Sequence, residues 1–211
     1  AQKLTLEDGL AWDQAIAVCS ELSGDQIQAR LTSDGSGGAF VTWMDDRNQE
    51  NFDDVFVQHV SSNGEISFDN DGIAVSTAIG LQMNPLVRSN GSDGAFIVWG
   101  DFRSGSLGIY MQQISTSNDV SFEEDGRLYV SGLGGNTISE YSYKPKSLYL
   151  GNDEVLLYWV DQRFGVFGQY NFGQKIFSGW DSNQFISGTK LSNNNKADFP
   201  IAESLSENIM V

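Results

Sequence analysis

Apolar residues along this chain come in short runs, and clusters of Gly, Asn, Asp and Ser separate them. The run 95–99 follows a turn that contains Asn90-Gly91, the pair most typical of a tight β-hairpin. Because β-branched and aromatic residues dominate these runs, the pattern favours strands over helices. It predicts a unit of short antiparallel strands, which in the clearest stretch lie at 84–87, 95–99, 109–114 and 128–130.

The same unit recurs along the chain with landmark residues in fixed order. A glutamine precedes an aromatic residue by ten or eleven positions in each of four copies, at Gln2, Gln58, Gln112 and Gln169. A Trp-x-Asp-x-Arg motif recurs at spacings of 56 and 60 residues, with the members Trp43, Asp45, Arg47, Trp99, Asp101, Arg103, Trp159, Asp161 and Arg163. Such a period, filled with short strands, is typical of propeller arrays. We therefore predict an all-β fold, a β-propeller of four-stranded antiparallel blades with a repeat of about 56 residues.

The repeat phase predicts a single propeller segment that covers residues 1–211. The expected parts are the end of one blade at 1–25, full blades at 26–78, 82–132 and 140–188, and the start of another blade at 197–211. Residues 12–22 also have the spacing of an amphipathic helix, but the alignment of 16–18 with 73–75 favours a strand there. Since both ends fall inside a blade, the chain is expected to be a segment of a longer protein, or else a four-bladed ring closed by its first and last strands.

Composition narrows the possible partners. The net charge is −16, with 28 acidic and 12 basic residues, so no cationic surface is expected to bind nucleic acid. No apolar stretch approaches the roughly 20 residues that cross a bilayer, so membrane insertion is not expected.

One cysteine, Cys19, and one histidine, His59, are present, which excludes an internal disulfide and a Cys/His zinc site. Cys19 occupies the repeat position of Ser76 and is expected to be a small buried side chain, and His59 is expected at the surface.

Several motifs together resemble a known repeat family. The matching segments are 82–85 (Gln-Met-Asn-Pro), 34–39 (Asp-Gly-Ser-Gly-Gly-Ala), 110–112 (Tyr-Met-Gln), 63–68 and the three Trp-x-Asp-x-Arg motifs. They resemble the repeats of secreted bacterial multi-blade β-propellers, with sialidase-like architecture, found in Bacteroidota-type surface proteins. The resemblance implies a propeller fold and an extracellular or cell-surface location, and it does not specify an activity.

The Trp-x-Asp-x-Arg motif permits two interpretations. Asp and Arg two residues apart can form a charge-assisted hydrogen bond across a tight loop, with the guanidinium covering the indole, which would lock each blade. Alternatively, Arg47, Arg103 and Arg163 could converge near the axis and grip a carboxylate, as three arginines do in sialidases. An identical arginine in each blade favours the structural interpretation.

Two further groups of residues could bind ligands. Acidic turns at 69–72 and 123–126 offer carboxylates to Ca²⁺ at Asp69, Asp71, Glu123 and Asp125, although ordinary solvated turns explain them as well. Calcium is the one cofactor considered. Phe102 and Phe164 lie beside the Trp motifs and could form an aromatic platform for a sugar or peptide, or pack between blades.

These observations predict a non-catalytic extracellular binding or scaffold module. Its partner would be a protein or a glycan, or other blades or subunits of a surface assembly. The alternative is a sialidase-like or other carbohydrate-active propeller enzyme. The two differ in one respect: an enzyme must break the repeat symmetry with unique polar residues clustered on one axial face. The polar motifs here mostly recur, and the polar residues that occur once are scattered.

Overall fold

The structure is a computed structural model, and it describes ten stretches of the chain. These are residues 1–7, 9–21, 23–48, 52–133, 145–151, 154–161, 170–177, 189–190, 203–205 and 208–210. Within them the regular secondary structure is entirely strand.

Three four-stranded antiparallel sheets form the body of the described structure, with a short hairpin of strands β1 (Leu4–Thr5) and β2 (Gly9–Leu10) before them. Sheet 1 contains β3 (Gln26–Ser33), β4 (Ala39–Asp45), β5 (Asp54–Val60) and β6 (Ile73–Ser76). Sheet 2 contains β7 (Gln82–Ser89), β8 (Gly94–Asp101), β9 (Leu107–Ser115) and β10 (Arg127–Leu133). Sheet 3 contains β11 (Lys146–Gly151), β12 (Glu154–Asp161), β13 (Tyr170–Phe177) and β14 (Thr189–Lys190), and a last hairpin pairs β15 (Glu203–Leu205) with β16 (Asn208–Met210).

The prediction of an all-β fold with four-stranded antiparallel sheets is confirmed. Strands pair in chain order within each sheet, because short Gly- and Asn-rich turns can connect only antiparallel neighbours. The first strand of sheet 2, β7, contacts β3, β4 and β5 on one side and β11 on the other. First strands that lie next to one another are typical of blades arranged around an axis.

The core lies between the sheets, and sheet 2 is buried on both faces. Ile97 and Trp99 of β8 pack with sheet 1, whereas the alternate residues Phe96 and Val98 pack toward Leu157 of sheet 3. Successive side chains of a strand point to opposite faces, so a strand covered on both sides must be apolar throughout. This explains why the central strands appear in the sequence as continuous apolar runs.

The N-terminal segment differs from its sequence prediction. Residues 16–18, expected as a strand with a helix as the alternative, adopt neither form. Instead, the backbone N–H of Ile16 donates to the carbonyl of Ala1 at 2.7 Å, a local pairing too short to build a ladder. Val18 and Cys19 pack against an apolar group of sheet 1 that consists of Val41, Trp43 and Phe56.

Across the described residues, no helix has the length and apolar character needed to cross a membrane.

Candidate functional site

The tryptophan motif builds the same hydrogen-bonded unit in sheets 1 and 2. Trp43 Nε1 donates to Asp45 Oδ2 at 2.8 Å, and Trp99 Nε1 donates to Asp101 Oδ2 at 2.9 Å. In the same units, Arg47 and Arg103 pair with these two carboxylates at 2.5 and 2.6 Å. Both carboxylates are fully buried, so all of their stabilisation comes from these partners.

The arginines also join elements that are distant in the chain. Arg47 Nη2 donates to the carbonyl oxygen of Asp71, and Arg103 Nη2 donates to that of Asp125, both at 2.9 Å. Each guanidinium lies 4.0 Å from the centre of an aromatic ring on the next strand, Phe56 in one sheet and Tyr110 in the other. That ring, stacked on the tryptophan at 6.1 Å, occupies the place over the indole where the sequence analysis expected the arginine.

Each arginine also donates a hydrogen bond to a small side chain of the preceding repeat. Arg47 Nη2 contacts Cys19 Sγ at 3.5 Å, and Arg103 Nη2 donates to Ser76 Oγ at 3.0 Å. Burial raises the pKa of the Cys19 thiol, so this side chain has the character of a structural residue and not of a nucleophile. The two arginines therefore connect consecutive repeats.

The acidic turns form a second connection between consecutive repeats, through hydrogen bonds to the aspartates Asp71 and Asp125. Asp71 Oδ1 accepts bonds from the backbone N–H and hydroxyl of Ser20, at 2.5 and 2.8 Å, and Asp125 Oδ1 accepts from the N–H of Thr77 at 2.8 Å. Glu123 pairs with Arg127 at 3.0 Å.

Asp69 completes the set of four acidic residues considered for calcium, and it is exposed. In the part of the chain that the structure describes, no three His, Cys, Asp or Glu side chains are grouped as a metal site requires. The calcium hypothesis gains no support from these residues.

The other members of the candidate sets lie elsewhere or outside the described residues. Phe102 is half-buried and packs against the core between sheets 2 and 3. Trp159 and Asp161 lie in β12, whereas Arg163 and Phe164 lie outside the described residues.

One end of sheet 1 carries carboxylates that sheet 2 lacks. The register pairs Asp45 with Asp54 in sheet 1 and Asp101 with Gly108 in sheet 2. The N–H of Asp46 donates to the carbonyl of Asp25 at 3.2 Å, as Phe102 does to Leu81 at 3.0 Å. By this correspondence, four acidic residues of sheet 1 replace four uncharged ones of sheet 2. We call Asp25, Asp46, Asp53 and Asp54 the acidic end of sheet 1, and their counterparts are Leu81, Phe102, Leu107 and Gly108.

Two of these carboxyl groups have a raised pKa. Burial, followed by the negative charges of Asp46, Asp25 and Asp45, raises the pKa of Asp53. Burial also raises the pKa of Asp54, against a 2.9 Å hydrogen bond from the Asn48 amide. A carboxyl group with a raised pKa that lies among other carboxylates is a candidate for acid–base chemistry.

Asp45, which lies beside the acidic end of sheet 1, has a lowered pKa. Its burial would raise the pKa, but hydrogen bonds from Arg47 and Trp43 lower it below its ordinary value. Asp45 is thus a fixed structural anion next to carboxyl groups that favour protonation.

The expectation of a surface histidine is wrong, because His59 is only 5% exposed. Its Nε2 lies 2.9 Å from Asp34 Oδ2, and its Nδ1 lies 2.8 Å from Ser67 Oγ. In the sequence, His59 taken alone has no visible partner among the residues that recur. Asp34 also departs from the repeat in the same sheet, since Asn90 occupies its position in sheet 2, and that shared departure is the signal that could have revealed the pair.

Comparison with known proteins bears on the fold. The sequence matches no family model and no curated protein. The structure is similar to that of an endo-arabinase from Bacteroides thetaiotaomicron VPI-5482, with a TM-score of 0.52 over 89% of this chain and 69% of that one. The sequence identity is 11%, so the likeness shows a shared propeller-type fold.

This comparison corrects two expectations from the sequence. The expectations of a non-catalytic binding or scaffold module and of no enzymatic activity are both contradicted, because a solved protein with a similar fold is an endo-arabinase. The recurrence of polar residues favoured a scaffold, but sheet 1 also carries acidic residues at positions that are uncharged in sheet 2.

Proposed function

We propose that this chain is part of a carbohydrate-active β-propeller enzyme that hydrolyses glycosidic bonds. The observation that carries the proposal is the acidic end of sheet 1, where four carboxylates stand in positions that are uncharged in sheet 2. A structural repeat has no need of such a difference, whereas a reaction site does. The fold shared with an endo-arabinase supports the same class of reaction.

The chemistry of glycoside hydrolysis fits these residues. It needs one carboxylic acid to protonate the leaving oxygen and one carboxylate to activate water or to attack the sugar. Asp53 is the candidate acid, since burial and the neighbouring charges of Asp46 and Asp25 raise its pKa. Asp25 is exposed and is the candidate carboxylate. Asp25 directly precedes β3, the first strand of sheet 1, and Asp53 adjoins β7, the first strand of sheet 2, because the N–H of Gln82 donates to the carbonyl of Asp53 at 3.0 Å.

The arginines argue against a sialidase-like version of this proposal. Arg47 and Arg103 each pair with a buried aspartate and donate to a turn carbonyl. A guanidinium already engaged in this way is a poor ligand for the carboxylate of a sialic acid. The proposed substrate is therefore a neutral polysaccharide, with an arabinan as the first one to test.

The proposal includes an extracellular or cell-surface location, where polysaccharides are found, with a glycan as the partner. It also includes further strands that complete a ring around the axis defined by β3, β7 and β11. The net charge of −16 suits a neutral glycan better than an anionic one, because like charges repel.

The test uses the full chain with linear arabinan, xylan and a sialoside, and measures the release of reducing sugar or sialic acid. We expect release from a neutral polysaccharide, and a decrease of about 100-fold or more in Asp53→Asn, the usual effect of removing a general acid. Asp69→Asn, which changes an exposed acid of the 69–72 turn, is the matched control and should retain activity. The proposal fails if none of the neutral polysaccharides is cleaved, or if Asp53→Asn cleaves them as well as the wild-type chain.

A further inference from the structure

A second chemical site lies at the opposite end of sheet 1, where the β3–β4 turn meets the end of β5. Asp34 belongs to this turn, His59 lies in β5, and Ser67 follows the next turn. The N–H of Ser67 donates to the carbonyl of His59 at 2.9 Å, so these two residues face each other across an antiparallel pair. The three side chains form a continuous chain of hydrogen bonds from Asp34 through His59 to Ser67.

The partners determine where the proton of the imidazole lies. Burial acts to raise the pKa of Asp34, but hydrogen bonds from His59 and from the N–H groups of Ser36 and Gly38 hold it below the ordinary value. An ionised carboxylate can only accept, so His59 Nε2 carries the proton and donates it to Asp34. In the neutral imidazole, His59 Nδ1 is then the acceptor for the hydroxyl of Ser67, whose Oγ lies 2.8 Å away.

We propose that Ser67 is a nucleophile activated by His59, with Asp34 as the positioning residue, and that it reacts with small carboxylic esters. The roles follow the logic of a Ser-His-Asp triad, with the two imidazole nitrogens exchanged. Either nitrogen can serve as the base when the other one is fixed by a carboxylate. Ser67 is exposed, whereas His59 and Asp34 are buried, so an ester can reach the nucleophile while water is kept from the pair that activates it.

The surroundings hold the imidazole in one orientation. The ring of Phe40 lies 4.7 Å from that of His59 between centres, and the ring of Phe68 lies 6.0 Å away. The Asp34 carboxylate is fixed by two backbone N–H groups, at 2.7 and 2.9 Å. A base packed in this orientation directs Nδ1 toward Ser67, which is the preorganisation that nucleophilic catalysis needs.

Sheet 2 shows that the fold itself does not require these residues. Asn90 occupies the position of Asp34 and accepts the same two backbone bonds, and Gln113 occupies that of His59. Ser121 occupies the position of Ser67, and its N–H donates to the carbonyl of Gln113 at 3.0 Å. Sheet 2 therefore forms the same local backbone bonds with the amide side chains of Asn90 and Gln113 in place of Asp34 and His59.

The reaction balances without a cofactor. Ser67 Oγ attacks the carbonyl carbon of the ester while its proton moves to His59 Nδ1. The carbon–oxygen bond to the alcohol breaks, and the departing oxygen takes the proton from Nδ1, which leaves an acyl group on Ser67. Water then attacks the acyl carbon and gives a proton to Nδ1, and Ser67 Oγ recovers that proton as the carboxylic acid leaves.

The first test is labelling of the full chain with diisopropyl fluorophosphate, in which Ser67 Oγ displaces fluoride from phosphorus. Intact mass and peptide mapping give the rate at Ser67 and, as an internal control, at Ser121. We expect labelling at Ser67 to be about 100-fold faster than at Ser121, the scale of general-base assistance. Hydrolysis of p-nitrophenyl acetate should be accelerated by the wild-type chain and lost in Ser67→Ala. Equal labelling of the two serines would overturn the proposal.

The residues of sheet 2 at the positions of Asp34 and His59 define two conservative variants for a second test. His59→Gln and Asp34→Asn install the residues of sheet 2, so each should fold, as circular dichroism can verify. His59→Gln should reduce labelling of Ser67 to the rate of Ser121, and Asp34→Asn should reduce it by about 10-fold or more. A rate unchanged in either folded variant would refute the assigned roles.

A spectroscopic readout separates positioning from mere stability. Because His59 is the single histidine of the chain, its two ring nitrogens give an unambiguous ¹⁵N spectrum. We expect the proton on Nε2 in the wild-type chain and a mixture of tautomers in Asp34→Asn. A wild-type proton on Nδ1 would contradict the proposal.

This ester chemistry does not depend on the proposed glycosidase activity. Asp53→Asn should leave the labelling of Ser67 unchanged, and Ser67→Ala should leave polysaccharide cleavage unchanged. The failure of one proposal is therefore distinguishable from the failure of the other.

Discussion

At the scale of single residues, the repeat is maintained by contacts that allow little substitution. The glutamine landmark is an example: Gln58 accepts from the N–H of Phe68 at 3.0 Å and donates to the carbonyl of Asp69 at 2.8 Å. Gln112 makes the same two bonds, to Phe122 at 2.9 Å and to Glu123 at 3.0 Å. One amide side chain thus fixes the path from the third strand to the acidic turn, which explains the constant spacing between glutamine and aromatic residue.

The glycine that ends each acidic turn gives a prediction at this scale. Gly126 has φ +80°, and a Cβ there would lie 2.3 Å from Cη2 of Trp99. Gly126→Ala should lower the free energy of unfolding by about 2–5 kcal/mol, from left-handed strain plus overpacking. Gly105 is the matched control, with φ +78° and no heavy atom near the added Cβ. Gly105→Ala should cost only the strain, about 1–2 kcal/mol, in the same urea titration. Equal effects of the two variants would show that the Trp99 contact is unimportant.

At the scale of strands and sheets, the sequence predicted the parts in which local pattern and tertiary packing agree. The strands of sheet 2 follow from apolar runs between turn residues, because both of its faces are covered. The segment 16–18 was predicted wrongly, since its apolar residues match those of β6 but its backbone pairs only locally with Ala1. Apolar pattern specifies burial, whereas a strand also needs a partner along its whole length.

The candidate sites were the least predictable part, for a related reason. Asp25 and Asp53 are 28 positions apart, and only the register of β3, β4 and β5 brings them to one end of the sheet. His59 was likewise separated in sequence from Asp34 and Ser67. An alignment of repeats that compared unique residues, and not only recurring ones, would have marked both groups.

The acidic end of sheet 1 gives a prediction on pH dependence. In the folded state the pKa of Asp53 lies above the ordinary value of 3.8, so its ionised form costs stability. This cost is absent below the ordinary pKa, appears as pH rises through the interval up to the raised pKa, and is complete above it. Asp53→Asn should therefore be more stable than the wild-type chain at pH 7 and equally stable at pH 3, as measured by chemical denaturation. A loss of stability in Asp53→Asn at pH 7 would contradict the electrostatic argument.

At the scale of the whole molecule, stability depends on the connections between consecutive sheets. Arg103 reaches Ser76 of sheet 1 while it pairs with Asp101 and donates to Asp125 in sheet 2. In addition, the Asp125 carboxylate of sheet 2 accepts a hydrogen bond from the backbone N–H of Thr77, which follows β6 of sheet 1. These bonds, added to the apolar core between the sheets, favour a defined relative position of the two sheets.

Removing this connection should have a large effect. Arg103→Ala leaves the buried Asp101 carboxylate without its cation, which should reduce stability by about 3 kcal/mol, the lower end for a broken buried pair because two hydrogen bonds to Asp101 remain. Arg127→Ala is the control for an exposed ion pair, since the Glu123 carboxylate is 56% exposed, and loss of that ion pair should cost about 1 kcal/mol or less. Thermal unfolding of both variants measures the difference. Similar losses would mean that the buried pair has no special role in joining the sheets.

The framework bonds that sheets 1 and 2 share have an evolutionary consequence. When one gene segment is duplicated in tandem, each copy inherits a complete set of framework bonds, and a change in one copy leaves the framework of the other intact. The Asn90 and Gln113 pair in one copy, and the Asp34 and His59 pair in the other, show two amino-acid solutions for a single backbone. New chemistry can therefore arise in one copy by a few substitutions, with no change of fold, while its sister copy keeps the domain folded.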